Sequence, residues 1–121
     1  MFLVDNKSTL VYDNCMEAML MIKIYGALTD QAGRCRHYHS QLDIVALKCA
    51  ACQKYYACYR CHDEVADHHF VASSSSEPYP VLCGNCSCLL SKSQYLLGHC
   101  PYCQAAFNPN CRFHHQIYFK A

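Results

Sequence analysis

Four Cys-x2-Cys pairs fall between Cys49 and Cys103: Cys49/Cys52, Cys58/Cys61, Cys83/Cys86 and Cys100/Cys103. A tight turn of this kind points two sulfurs at a common point, so each pair supplies half of a tetrahedral metal site. One pair alone fits a redox motif equally well, but four in so short a span point to metal. Cysteine accounts for 12 of the 121 residues, a level that marks a cross-linked or metal-bound scaffold. Such a scaffold is needed here, because there is no Trp and much of the nominally apolar content is Cys and Tyr.

The last two pairs form a complete set, C-x2-C-x13-C-x2-C, close to a zinc-ribbon pattern. We assign Cys83, Cys86, Cys100 and Cys103 to one closed zinc site. The first two pairs need further ligands. "CRH" offers Cys35 and His37, and "CHDEVADHH" offers His62 and then His68 or His69. Neighbouring side chains diverge, so Cys61 and His62 serve different ions more naturally than one. The expected arrangement is interleaved. Cys35, His37, Cys58 and Cys61 hold one zinc; Cys49, Cys52, His62 and one of His68 or His69 hold another. Spacing does not choose between those two histidines. Six residues of unbroken helix rise about 9 Å, so the helix must end or bend first.

Around these ligands, "DIVALKC" (43–49) and "KYYACYRC" (54–61) read as short strands of a hairpin, and "HDEVADH" (62–68) as a short helix. "VASSSSEPYP" (71–80) reads as a loop and "PVLC" as a short strand. "SKSQYLLGH" reads as a short helix capped by Ser91 or Ser93, and "HHQIYF" (114–119) as a closing strand. Gly84 and Pro101 are expected to tighten their knuckles. Residues 1–22 hold one cysteine, Cys15, and no histidine, and read as an N-terminal extension of a zinc-binding domain spanning 23–121. Within that domain an interleaved two-zinc part covers about 35–69 and a ribbon-like part about 80–106. The fold class is therefore a small zinc-stabilised α+β, with short hairpins and helices around three structural sites and little regular secondary structure.

Several functions fit poorly. A formal charge of +1 and scattered basic residues give no footprint for nucleic acid. No segment has the eighteen or so apolar residues that span a membrane. Asp5, Lys7, Asp13 and Glu17 interrupt any secretory apolar stretch. A disulfide framework sits badly with Cys-x2-Cys pairs interleaved with histidine. Catalytic zinc needs an open coordination position, and twelve ligands for three ions leave none. An iron–sulfur cluster needs only thiolates, whereas histidine recurs here. Cys88 is a buried small residue or a competitor for the third ion; Cys111 with His114 is an auxiliary ligand pair or a structural turn. His39, His99 and His115 are surface or supporting groups, and Asp43, Asp63 and Glu64 are candidates to orient ligand histidines. Tyr38, Tyr55, Tyr56, Tyr59, Tyr95, Tyr102 and Tyr118 pack the thin core.

The motifs "RCRHY", "DIVALKC--C", "KYYACYRCHDE", "LCGNC", "CPYC" and "FNPNC--H---YF" occur in this order over residues 24–119. Together they resemble a CHY-type zinc finger in its stand-alone short form, similar to the helper-of-small-Tim zinc proteins and their prokaryotic relatives. The resemblance implies three zinc ions and selects His68 over His69. It implies ligands at Cys35, His37, Cys49, Cys52, Cys58, Cys61, His62, His68, Cys83, Cys86, Cys100 and Cys103. Longer family members carry a RING domain; no such pattern is present here, and ligase activity is not implied. The expectation is a non-enzymatic zinc protein that recognises another protein, with zinc or thiol handling for a cysteine-rich client as the alternative. It implies an intracellular compartment: cytoplasm for a prokaryotic chain, the mitochondrial intermembrane space for a fungal one.

Overall fold

The computed structural model describes residues 22–109 and 115–120. Cys15, Cys111, His114 and nearly all of the proposed extension lie outside them, as does the side chain of His115. The elements are β1 (Ile24–Tyr25), β2 (Val45–Cys49), β3 (Lys54–Tyr56), α1 (Tyr59–Val65), β4 (Val81–Cys83), β5 (Leu89–Leu90), α2 (Lys92–Tyr95) and α3 (His115–Tyr118).

One five-stranded sheet, ordered β1-β3-β2-β4-β5, joins strands from residues 24–56 and 81–90. β2 and β3 form the expected antiparallel hairpin, with Cys49 opposite Lys54 and Leu47 opposite Tyr56. β2 also pairs β4, placing Val45 opposite Cys83, and β4 pairs β5. Only β1 runs parallel to its neighbour, β3. Because β2 is central, alternation sends its side chains to two buried layers. Val45 and Leu47 join Val81, Leu90, Tyr95, Phe107, Tyr118 and Phe119 on one face. Ala46 joins Tyr55, Leu82 and Leu89 on the other.

Three cysteine pairs share one turn. Gln53, Ser87 and Gln104 each follow the second cysteine, and each has a positive φ of 60–67°. Each donates its N–H to the carbonyl of the first cysteine, at 2.7–2.8 Å. The left-handed residue that closes the knuckle is therefore the one after the pair. Gly84 has another role than the one expected: a Cβ there would lie 1.7 Å from the Ala32 carbonyl oxygen, so its bare backbone admits the 30–34 loop. The fourth pair differs, since Cys58 is the N-cap of α1 and its Sγ accepts from the Cys61 N–H.

The structure corrects three element readings. The helix begins at Tyr59 rather than His62, because the Cys58 cap starts it early, and it ends at Val65. Residues 115–118 form a helical turn rather than a strand; only Phe119 bridges, to Ser73. β1 and β5 were not expected. α2 is capped as anticipated: Ser91 and Gln94 form a reciprocal capping box. Of the tyrosines, Tyr55, Tyr56, Tyr95 and Tyr118 are buried in the core. No helix among the described residues is long and apolar enough to cross a membrane.

Candidate metal centres

The structure brings the twelve sequence-predicted residues together as three groups of four, and each group's ligand atoms lie within 4.8 Å of one another. Cys35, His37, Cys58 and Cys61 form the first. Cys35 is placed by a bridge to Leu28 and by its N–H bond to the Tyr38 carbonyl. α1 supplies Cys61, and Gly26 (φ +140°) gives it room, since a Cβ there would meet Cys61 Sγ at 2.8 Å. His37 Nδ1 lies 3.5 Å from both Cys58 and Cys61 Sγ and 3.9 Å from Cys35 Sγ. Cys35 and Cys58 sulfurs are 3.7 Å apart.

The second group joins the β2–β3 knuckle to α1 and the turn after it. Consecutive residues Cys61 and His62 face two different groups, as side-chain divergence requires. The chain turns extended at Ala66, which lets His68 fold back. His62 and His68 Nε2 atoms are 3.2 Å apart and lie 3.4 and 3.3 Å from Cys52 Sγ. Cys49 Sγ is 3.8 Å from His68 Nε2 and accepts the Val71 N–H. His69, the alternative, is 98% exposed and lies outside the group. The third group pairs two knuckles, with Cys83–Cys103 sulfurs at 3.9 Å and Cys86–Cys100 at 3.6 Å.

These separations test the fit to zinc. A tetrahedral ion with its usual bond lengths sets ligands about 3.8 Å apart for two sulfurs, about 3.6 Å for sulfur and nitrogen, and about 3.3 Å for two nitrogens. The observed edges span these values: sulfur–sulfur at 3.6–3.9 Å, sulfur–nitrogen at 3.3–3.9 Å and nitrogen–nitrogen at 3.2 Å. Where the Nδ1–H of each ring donates to its neighbouring carboxylate, both Nε2 atoms present lone pairs, and their approach to 3.2 Å suits a shared cation.

Each candidate ligand histidine has a carboxylate on its outer nitrogen. Glu64 meets His37 Nε2 at 2.8 Å, Asp63 meets His62 Nδ1 at 2.8 Å, and Asp67 meets His68 Nδ1 at 2.9 Å. This fixes the tautomer that turns the other nitrogen's lone pair inward. Asp63 and Glu64 were expected here. Asp43 does something else: it accepts from Asn108 Nδ2 and the Ser40 N–H. Asp67 was missed, although its position beside His68 was a usable signal. Asn85, also missed, donates to Cys103 Sγ.

The thiols show what the groups lack without a cation. Burial pushes Cys58, Cys61, Cys52 and Cys100 upward. Cys86 is raised first by its contact with Cys83, then by burial. Burial also opposes ionisation of Cys49, but N–H donors from Val71, Cys52 and Ala51 and the His68 contact outweigh it and bring the thiol to about 6. Hydrogen bonding from Cys86 and from knuckle N–H groups lowers Cys83 to about 5. Crowded sulfurs cannot all ionise together unless a cation joins them. Each of the three clusters can thus hold one zinc ion.

Cys88 belongs to none of them. It is 1% exposed and disulfide-bonded, which removes it as a competitor for the third ion. The other described cysteines are free.

Residues 35–110 match the family described as CHY zinc finger. A protein of Schizosaccharomyces pombe is 43% identical over 100 residues, covering 80% of this chain and 88% of its own. Helper of Tim protein 13 of Kluyveromyces lactis is 40% identical over 101 residues, with 80% and 88% covered. Its Saccharomyces cerevisiae counterpart is 32% identical over 109 residues, with 84% and 94% covered. A zinc-binding protein is what the clusters and these relatives jointly support, and the chain belongs to the CHY zinc finger family.

Proposed function

We propose that this protein is a non-enzymatic zinc module that recognises another protein. The carrying observation is that each cluster gathers four candidate ligand atoms within 4.8 Å of one another, with its closest contacts at 3.2–3.9 Å. A closed set of four leaves no coordination position for a substrate, so zinc here holds the scaffold. Two relatives are named Helper of Tim protein 13, which supports a protein as the partner and a Tim protein as its class. The mitochondrial intermembrane space is the compartment proposed with them. In-cell crosslinking with mass spectrometry of the zinc-loaded chain tests this. A stoichiometric protein partner, captured without turnover of any small molecule, is the expected result; the absence of any stoichiometric partner would overturn it.

A second reading, zinc or thiol handling, has one specific observation in its favour. His68 is a ligand candidate with 35% of its side chain exposed, held by the fully exposed Asp67. An incoming client thiolate can reach that corner of the second cluster more easily than any buried ligand. Metal transfer from the zinc-loaded chain to a zinc-free cysteine-rich peptide, followed by mass spectrometry, separates the two readings. Rapid loss of one ion favours handling; three retained ions favour the closed module.

A further inference from the structure

The metal clusters leave one concave surface unused. A cavity of about 440 Å³ opens on the β1 side of the sheet, and none of the twelve candidate ligands lines it. Its volume falls in the range of small-ligand and side-chain pockets, about 300–1,000 Å³. Tyr25, Tyr55 and Tyr79 give it apolar walls, and Lys23, Lys48 and Lys54 bring three ammonium groups to it.

The charges in this groove are unbalanced. Lys48 is paired with Glu77 at 3.0 Å, which accounts for the groove's carboxylate. Lys23 and Lys54 both stand over the Tyr25 ring, at 5.0 and 5.2 Å from its centroid. Neither forms an ion pair with a described residue. One aromatic ring thus gathers two like charges at an exposed rim. Such a pair is electrostatically complementary to carboxylates, while the tyrosine floor suits an apolar or aromatic side chain. β1 is also the sheet's edge strand, bonded on one side only to a named strand, so an extended backbone can lie against it.

We propose that this groove binds an acidic, extended peptide segment of a partner protein, with carboxylates on Lys23 and Lys54 and an apolar side chain over Tyr25 and Tyr55. The proposal rests on the reading of the protein as an interaction module and names the surface that performs it. Two lysines without an ion pair among the described residues, no arginine in the groove and a chain charge of +1 favour a peptide over nucleic acid.

The test uses the full zinc-loaded chain and fluorescence anisotropy. The probe is a labelled Gly-Glu-Glu-Phe-Glu-Gly peptide, with a Lys-for-Glu peptide and oligodeoxythymidine as controls. The acidic peptide should bind and the controls should not. Raising salt should weaken binding. The double variant Lys23→Glu/Lys54→Glu should weaken it about ten-fold or more. Lys54→Gln, which removes one charge without reversing it, should weaken it about three-fold. Zinc content of each variant, by native mass spectrometry, shows that the clusters are intact. Equal binding of acidic and basic peptides, preference for the oligonucleotide, no peptide binding, or no effect of either variant would overturn the proposal. A crosslinked partner captured equally by the double variant would remove the groove and leave the module reading standing. If the unaltered chain captures no partner, the module reading itself fails.

Discussion

Glu64 Oε2 lies 2.8 Å from His37 Nε2 and 2.6 Å from Arg36 Nη2. Arg36 first, and then His37, hold this carboxyl below the usual range, so it is a carboxylate and can only accept. The His37 Nε2–H therefore donates, and Nδ1 presents its lone pair to Cys58 and Cys61. An exposed side chain from α1 thereby sets the tautomer of a ligand on a distant loop.

Replacing Glu64 with Ala should weaken zinc at the first cluster by about ten-fold, the low end for such partners because the carboxylate is partly exposed. Glu64→Gln keeps an acceptor oxygen and should lose less. Competition with a chelator, read cluster by cluster, measures both. Identical affinities for Glu64→Ala and the unaltered chain would refute the role.

His68 and His69 are adjacent, but only His68 joins the second cluster, while His69 is 98% exposed. His68→Ala should leave two firmly held ions per chain, whereas His69→Ala should leave three. Zinc quantification on the purified variants decides it. Loss of an ion from His69→Ala alone would mean that the second cluster has been misassigned.

Gly84 is a packing requirement, and Gly98 is a conformational one. A Cβ at position 84 meets backbone at 1.7 Å (Ala32 O) and 2.8 Å (Ile44 O), and neither can swing aside. Gly84→Ala should destabilise by about 1–3 kcal/mol or more, as overpacking does. Gly98 has φ +86° and open space around it, so Gly98→Ala should cost about 1–2 kcal/mol from strain alone. Thermal unfolding of the zinc-loaded variants compares them. A larger drop for Gly98→Ala would contradict the packing account.

Zinc affinity should fall as pH falls. Cys52, Cys58, Cys61, Cys86 and Cys100 are raised, so in the zinc-free clusters they carry protons at neutral pH that the ion must displace. Cys49 and Cys83 are lowered, to about 6 and about 5. They favour the folded, anionic arrangement fully above the ordinary thiol range; that contribution shrinks as pH falls from there and is gone once pH has dropped through these values. Affinity should therefore fall steadily from the ordinary thiol range down to about pH 5, where the last thiolates gain protons. A zinc-responsive dye followed through an acid titration reports it; affinity independent of pH between 8 and 6 would be inconsistent with displaced protons.

Much of the candidate site was legible because ligand spacing is local. A Cys-x2-Cys turn is set by four residues, and the divergence of Cys61 and His62 follows from backbone geometry alone. The β2–β3 hairpin was legible for the same reason. What escaped depends on distant chain. β1 has two residues and forms only because β3 offers it a parallel edge. The turn at His115–Tyr118 has the aromatic, β-branched composition of a strand. Tertiary packing decides otherwise: the Tyr118 hydroxyl accepts the Tyr59 N–H, and the Ser73 N–H bonds the Tyr118 carbonyl. The start of α1 was missed because a cysteine serves as its cap, a role usually read from Ser, Thr, Asp or Asn.

Native mass spectrometry of the intact chain, before and after chelation, addresses the central claim most directly, that three closed zinc clusters hold this fold. Structural zinc contributes about 10–16 kcal/mol per ion, against about 5–15 kcal/mol for the net stability of a domain. The predicted result is three ions per chain, with loss of the cooperative thermal transition once all are removed. Fewer than three ions, or a zinc-free chain whose mass is reduced by disulfides among the twelve ligand positions and which still unfolds cooperatively, would contradict it.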